Sequence, residues 1–228
     1  MKTHAVPGRR MTLALAGLLA LASTIVVLAV SGEGEGHAAD HSHPAAATTS
    51  KSVAFRGDMR ELWEQHVAWT RLAIVGFAGN LPNLPATEQR LLHNQTDIGN
   101  AIKPFYGKAA GNKLTKLLKA HITGAVALLE AAKAGDAAKL AQAKSAWYTN
   151  GNQISDFLSS ANPHNWPREA VRAMMKTHLD QTLAEGVDEL TGKYAAGVHQ
   201  YDAIEHHILE MADTLSSGIV KQFPARFR

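Results

Sequence analysis

From residue 53 onward, apolar residues recur every three or four positions, strand-like alternation is absent, and turn signals stand far apart. That spacing follows the 3.6-residue period of a helix, so the body is expected to be all-α. The pattern predicts helices over 55–79, 86–103, 108–133 and 137–160. A further helix starts near Arg168, is interrupted around Thr191-Gly192, and continues to about Gln222. Gly79-Asn80 and a Leu-Pro-Asn-Leu-Pro turn end the first helix, and Asn-Pro-His-Asn-Trp-Pro follows the fourth. Pro104 and Gly107 should break the second, because proline lacks a donor and clashes with the preceding turn. Straight breaks would leave four long helices, two of them broken; sharp ones would give a six-helix bundle.

The order helix–turn–helix–break–helix occurs twice, which suggests two similar halves at about 53–135 and 136–228. Trp63-x-x-His66 is echoed by Trp147-x-x-Asn150, Leu84-Pro85 by Trp166-Pro167, and the glycine-bearing run at 107–111 by that at 192–197. From there His121 falls on His207. Facing helices of such a bundle would build any site.

Several polar residues fall inside the apolar stripes. His66 lies between Leu62 and Trp69, and His121 between Leu118 and Ala125. Met174, His178, Thr182, Glu185 and Glu189 share a ridge, and Glu205 interrupts the row Val198–Tyr201–Ile208–Ala212. His207 lies on the flank of that row. Buried polar groups need partners, so these positions predict a hydrogen-bonded or metal-bound interior cluster. Heights along the helices group His66, His178 and Glu185 with Asp97 and Asn150, and set His121 and His207 apart as a second pair. A single inward histidine is more often a satisfied core residue than a ligand. His199, Asp202 and His206 share a face beside the apolar row, where a solvated surface is the plainer reading.

Ahead of the body, Met11 to Val30 form a 20-residue run without a charge behind a short basic start. This is the layout of an export signal, and the run is also long enough to span a bilayer. Residues 1–31 are therefore read as a signal peptide or an N-terminal membrane anchor through residues 11–30, and the body as extracytoplasmic, secreted or anchored. Residues 32–52, rich in Gly, Ala, Ser and Thr, read as a flexible tether. Its His37, His41 and His43 can capture divalent metal ions, and cleavage after Ala38 would expose an Ala-Asp-His terminus suited to copper.

Charge changes the picture by where it falls. The chain carries 23 Lys+Arg against 20 Asp+Glu, and Lys2, Arg9 and Arg10 are the only formal charges in residues 1–31. The remainder is neutral, which removes the electrostatic case for nucleic acid. The absence of cysteine excludes disulfides, thiolate metal sites and cysteine catalysis. No phosphate-binding loop follows a strand, and the only acid–base candidates are His178 and Glu185. Two readings follow. One is a non-enzymatic helical bundle binding a metal ion (copper, zinc or iron) or a small ligand through inward His and carboxylate groups. The other is a structural or partner-binding bundle of the cell envelope without metal, with an envelope enzyme using His178 and Glu185 ranked behind both. Self-association as a homodimer is the remaining partner expectation.

The phrases Trp63-Glu-Gln-His66-Val-Ala-Trp-Thr-Arg71 and Asp97-Ile-Gly-Asn-Ala-Ile-Lys-Pro-Phe-Tyr-Gly107, with the ending Met211 to Pro224, resemble an exported, all-helical bacterial family without an assigned activity. The resemblance covers about residues 55–224 and implies a fold and a location, but no mechanism. Such proteins are sometimes labelled glycosyltransferases. The residues oppose that label, since neither an α/β nucleotide-sugar domain nor an acidic metal motif in a strand-flanked loop is present.

Overall fold

A computed structural model describes residues 49–228. The expected leader at 1–31, most of the expected tether with His37, His41 and His43, and the terminus expected from cleavage after Ala38 lie outside the described residues. Within them the chain is helical throughout: α1 (Ser50–Ala78), α2 (Leu84–Ala134), α3 (Ala137–Ala161), α4 (Arg168–Leu190) and α5 (Tyr194–Gln222), then a 3-10 turn at Pro224–Phe227. Among these helices none is long and apolar enough to cross a membrane.

Helix α1 begins earlier than the apolar period predicts, so residues 50–52, read from the sequence as the end of a tether, are helical. The Thr49 side chain accepts from the Ser52 amide, which satisfies one of the free donors of a helix start. The carboxy terminus pins the same turn, with the Thr49 hydroxyl on the Phe227 carbonyl and Lys51 on that of Arg228. Phe227 then packs among Phe55 and Phe105, closing this end of the bundle with aromatic rings.

The break in α2 is at Gly107, which adopts φ 84°, ψ 166°, while Pro104 stays within the helix. The turn reverses the chain, so that arms 84–106 and 108–134 run back along each other. Gly99 and Gly111 mark their closest approach: a Cβ on Gly111 would stand 2.5 Å from the Gly99 carbonyl oxygen, and one on Gly99 2.7 Å from that of Gly111. Backbone cannot move aside as a flexible side chain can, so both positions are restricted to glycine. Gly111→Ala should cost about 2 kcal/mol despite alanine's better helix propensity. Gly57→Ala, with nothing within 4 Å of the new methyl, should be neutral or slightly stabilising. Paired urea melts of the two variants measure the difference; equal stabilities would refute the close crossing.

Six helical rods result, each antiparallel to the next. α1 packs on α2, α2 on α3, α3 on α4 and α4 on α5, and α5 returns to α1, closing the ring. Contacts of α1 and α2 with α4 fill its middle. The core includes Trp63, Ile98, Leu118, Trp147, Leu179, Ile208 and Leu215.

One period organises this packing. His66, His121 and His178 stand 55 and 57 residues apart, on α1, the second arm of α2, and α4, three rods that run in one direction. Seven residues before each comes a buried Met59, Leu114 or Val171; three before, Trp63, Leu118 or Met175; one after, Val67, Ile122 or Leu179. Fourteen after each, the chain turns through a residue of positive φ: Asn80 (54°), Gly135 (67°) and Gly192 (74°). Three helical hairpins therefore share one register. The halves 53–135 and 136–228 read from the sequence pair rods of opposite direction, such as α1 with α3, as a two-fold axis across the bundle would.

Candidate functional site

The three equivalent histidines meet in the interior. The His178 ring lies 5.7 Å from that of His66 and 6.3 Å from that of His121, centroid to centroid. All three are buried, at 2–4% exposure. Trp63 meets the His66 ring edge-on, and Trp147 stacks on His121 at 5.1 Å while donating its Nε1–H to the His121 carbonyl oxygen.

The returning helix of each hairpin serves the same point. Asn94 Nδ2 donates to the Leu62 carbonyl and Asn150 Nδ2 to that of Leu117, in each case the residue four before the histidine. In the third hairpin His207 Nε2 donates to the carbonyl of Met174, again four before His178. A helical carbonyl normally accepts from the amide four residues on, and each of these accepts a second bond from the neighbouring rod. The histidines thus sit at three matched helix–helix contacts.

Ring nitrogens are served unequally. Asn150 spends its amide on Leu117, so its Oδ1 accepts from His121 Nδ1–H at 3.1 Å, which leaves His121 Nε2 as a lone pair. Gln95 Nε2 donates to the Leu91 carbonyl and lies 3.1 Å from Asn94 Oδ1 and 3.2 Å from His66 Nδ1, so His66 Nδ1 is paired within the protein. His178 Nδ1 is buried without a partner. Burial, with the neighbouring His121 ring, lowers His66 to about 3, partly opposed by Gln95. Burial lowers His121 to about 4, against the Asn150 bond, and takes His178 well below its ordinary value with help from the other rings. The cluster is three neutral imidazoles.

The carboxylates expected beside these rings stand elsewhere. Asp97 faces outward, 3.1 Å from His93 Nδ1 and 3.8 Å from Arg90. Glu185, two turns beyond His178, is bound by Arg71 Nη1 at 2.9 Å, and the same nitrogen holds Glu189 at 2.8 Å. Burial raises Glu185 to about 7, a shift that Arg71 opposes and the Glu189 charge reinforces. Glu205 is half-buried beside Tyr201 rather than in the cluster. Asn150 joins His121, not His66, and His121 joins His66 and His178 instead of pairing with His207. His199, Asp202 and His206 are surface residues, with His206 on Glu210 at 3.2 Å.

Gln95, Asn94 and Arg71 escaped the sequence reading. The first two carry a signal that was available, since they interrupt the buried row Leu91–Ile98–Ile102 as His66 interrupts its own. Among the described residues no group of three or more His, Asp or Glu stands in the geometry of a metal site.

No family model, curated protein or solved structure matches the chain.

Proposed function

We propose that the chain is a non-enzymatic, extracytoplasmic helical-bundle protein that binds a transition-metal ion through His66, His121 and His178. The observation that carries this reading is the convergence of three neutral imidazoles from matched positions of three hairpins, one with a buried nitrogen lacking any partner. Neutral imidazole is the form that ligates, and burial already holds the rings in it. Asn150 stands behind the His121 ring as an orienting group, accepting its Nδ1–H as outer partners do at metal sites. Extracytoplasmic placement rests on the leader at 1–31. Duplication into two halves is kept as a reading of descent on which the site does not depend.

A structural bundle is the second reading. The pairings of His66 with Gln95 and His121 with Asn150 favour it, because those rings are satisfied within the protein. Buried polar groups of this kind can fix helix register. An enzyme using His178 and Glu185 has no support in the geometry, as Glu185 is committed to Arg71.

Native mass spectrometry of the full chain, after exposure to copper, zinc and iron, separates the two readings. The expected result is one metal ion per chain, lost in His178→Leu while the helical circular-dichroism spectrum persists. A chain that stays metal-free with all three is a structural bundle.

A further inference from the structure

Resting on the metal-binding reading above, we infer that the ion this cluster selects is a monovalent d10 cation of the copper(I) class, held between His121 and His178. Charge is the first argument. Among the described residues no carboxylate is paired with the three rings: Asp97 faces outward, and Glu185 and Glu189 are held on Arg71, seven and eleven residues beyond His178. The chain has no cysteine, so no thiolate can supply compensation. An ion entering among these rings keeps its full charge in an apolar interior. The solvation penalty grows with the square of the charge, so a divalent ion would lose about four times what a monovalent one loses.

Donor count is the second argument. His121 offers the lone pair of Nε2, because its Nδ1 proton is given to Asn150. His178 has an unpartnered Nδ1 and no hydrogen bond holding its ring. His66 Nδ1 is engaged by Gln95, so that nitrogen is no donor until the pairing is broken. Two free donors suit an ion that accepts two ligands in line. Zinc, which takes four tetrahedral ligands, is left short.

Spacing agrees. With a ring nitrogen about 2.0 Å from an ion, the ring centroid lies about 3 Å away, and two rings in line across it are about 6 Å apart. His121 and His178 stand at 6.3 Å. His66, at 5.7 Å from His178, is near enough to become a third donor if Gln95 releases it.

The test titrates the full chain with Ag(I), a redox-inert ion of this class, in chloride-free buffer and separately with Zn(II). Native mass spectrometry gives stoichiometry, and 15N spectra of the imidazoles show which nitrogens respond. One Ag(I) per chain is expected, with shifts confined to one nitrogen each of His121 and His178. Zn(II) should bind at least about tenfold more weakly. His121→Leu and His178→Leu should each remove Ag(I) binding, whereas Gln95→Leu should retain it. Zn(II) binding more tightly than Ag(I) at these rings overturns the inference and leaves the metal reading standing. If neither ion binds at these rings, both fail. The wild-type 15N spectra decide the matter even if a variant does not fold.

Discussion

Acidified from pH 7 to pH 4, the metal-free bundle should lose several kcal/mol of stability and unfold. The sign follows from the three buried rings. His66 and His121 are lowered to about 3 and about 4 in the folded chain, and His178 well below its ordinary value, against about 6.5 when unfolded. Between those values the unfolded chain binds the protons and the folded one does not. Stability is therefore complete above about pH 6.5 and falls as pH drops below it. Each proton taken up only by the unfolded chain costs about 1.4 kcal/mol per pH unit, so three cost about 4. Glu185 acts in the opposite sense. Its raised value of about 7 means that its stabilising contribution is present below its ordinary range and is lost as pH rises through 7. One proton against three leaves a net loss of roughly 2–3 kcal/mol per unit below pH 6, against a total of roughly 5–15 for a folded domain. Urea midpoints at pH 7, 6 and 5 should fall steeply. A His66→Leu/His121→Leu/His178→Leu chain should show a flattened or reversed slope. Equal midpoints for the wild type at pH 7 and pH 5 would mean that the rings are not buried neutral.

The fold was legible because a helical stripe is a local property. Helix ends at Ala78, Ala134 and Ala161 fall within a residue of the expected limits, since glycine or proline stands just beyond them. His66, His121 and His178 were legible for the same reason, each lying in an apolar stripe that is buried, whereas Glu205 in a similar row is only half-buried. What faces each ring is not local. Heights along the helices placed Asp97 and Asn150 near His66, but height does not say which side of a rod is presented. Asp97 is three residues past Asn94, close enough in sequence to suggest the site, and faces solvent with His93. The two-half period also drew attention to His66 with Asn150 and His121 with His207. The 55–57-residue period was hidden because only side-chain size and burial recur; Met59, Leu114 and Val171 are equivalent in packing and unlike as letters. Arg71 lies off the stripe of His66. Only the fold reveals that its long side chain reaches two buried carboxylates on α4.

Arg71→Met should be the most damaging single substitution, costing about 3–5 kcal/mol at pH 8. Glu185 and Glu189, 1% and 5% exposed, depend on the same guanidinium nitrogen. Methionine retains much of the stem packing and removes the charge, so the loss reports the carboxylates left behind. Two like charges in one apolar site cannot both remain ionised, and the chain must take up protons or unfold. Arg71 is among the groups holding Glu185 down, so without it the carboxyl rises above its present value of about 7. Its stability contribution is then present at low pH and lost as pH rises. The deficit should thus be largest at pH 8 and shrink toward pH 6, a slope opposite in sign to that of the histidines. Glu185→Gln and Glu189→Leu in the Arg71→Met background should restore most of the loss, because no buried charge then remains without a partner. Arg71→Met alone with an unaltered urea midpoint at pH 8 would show that the three groups are solvated rather than buried together.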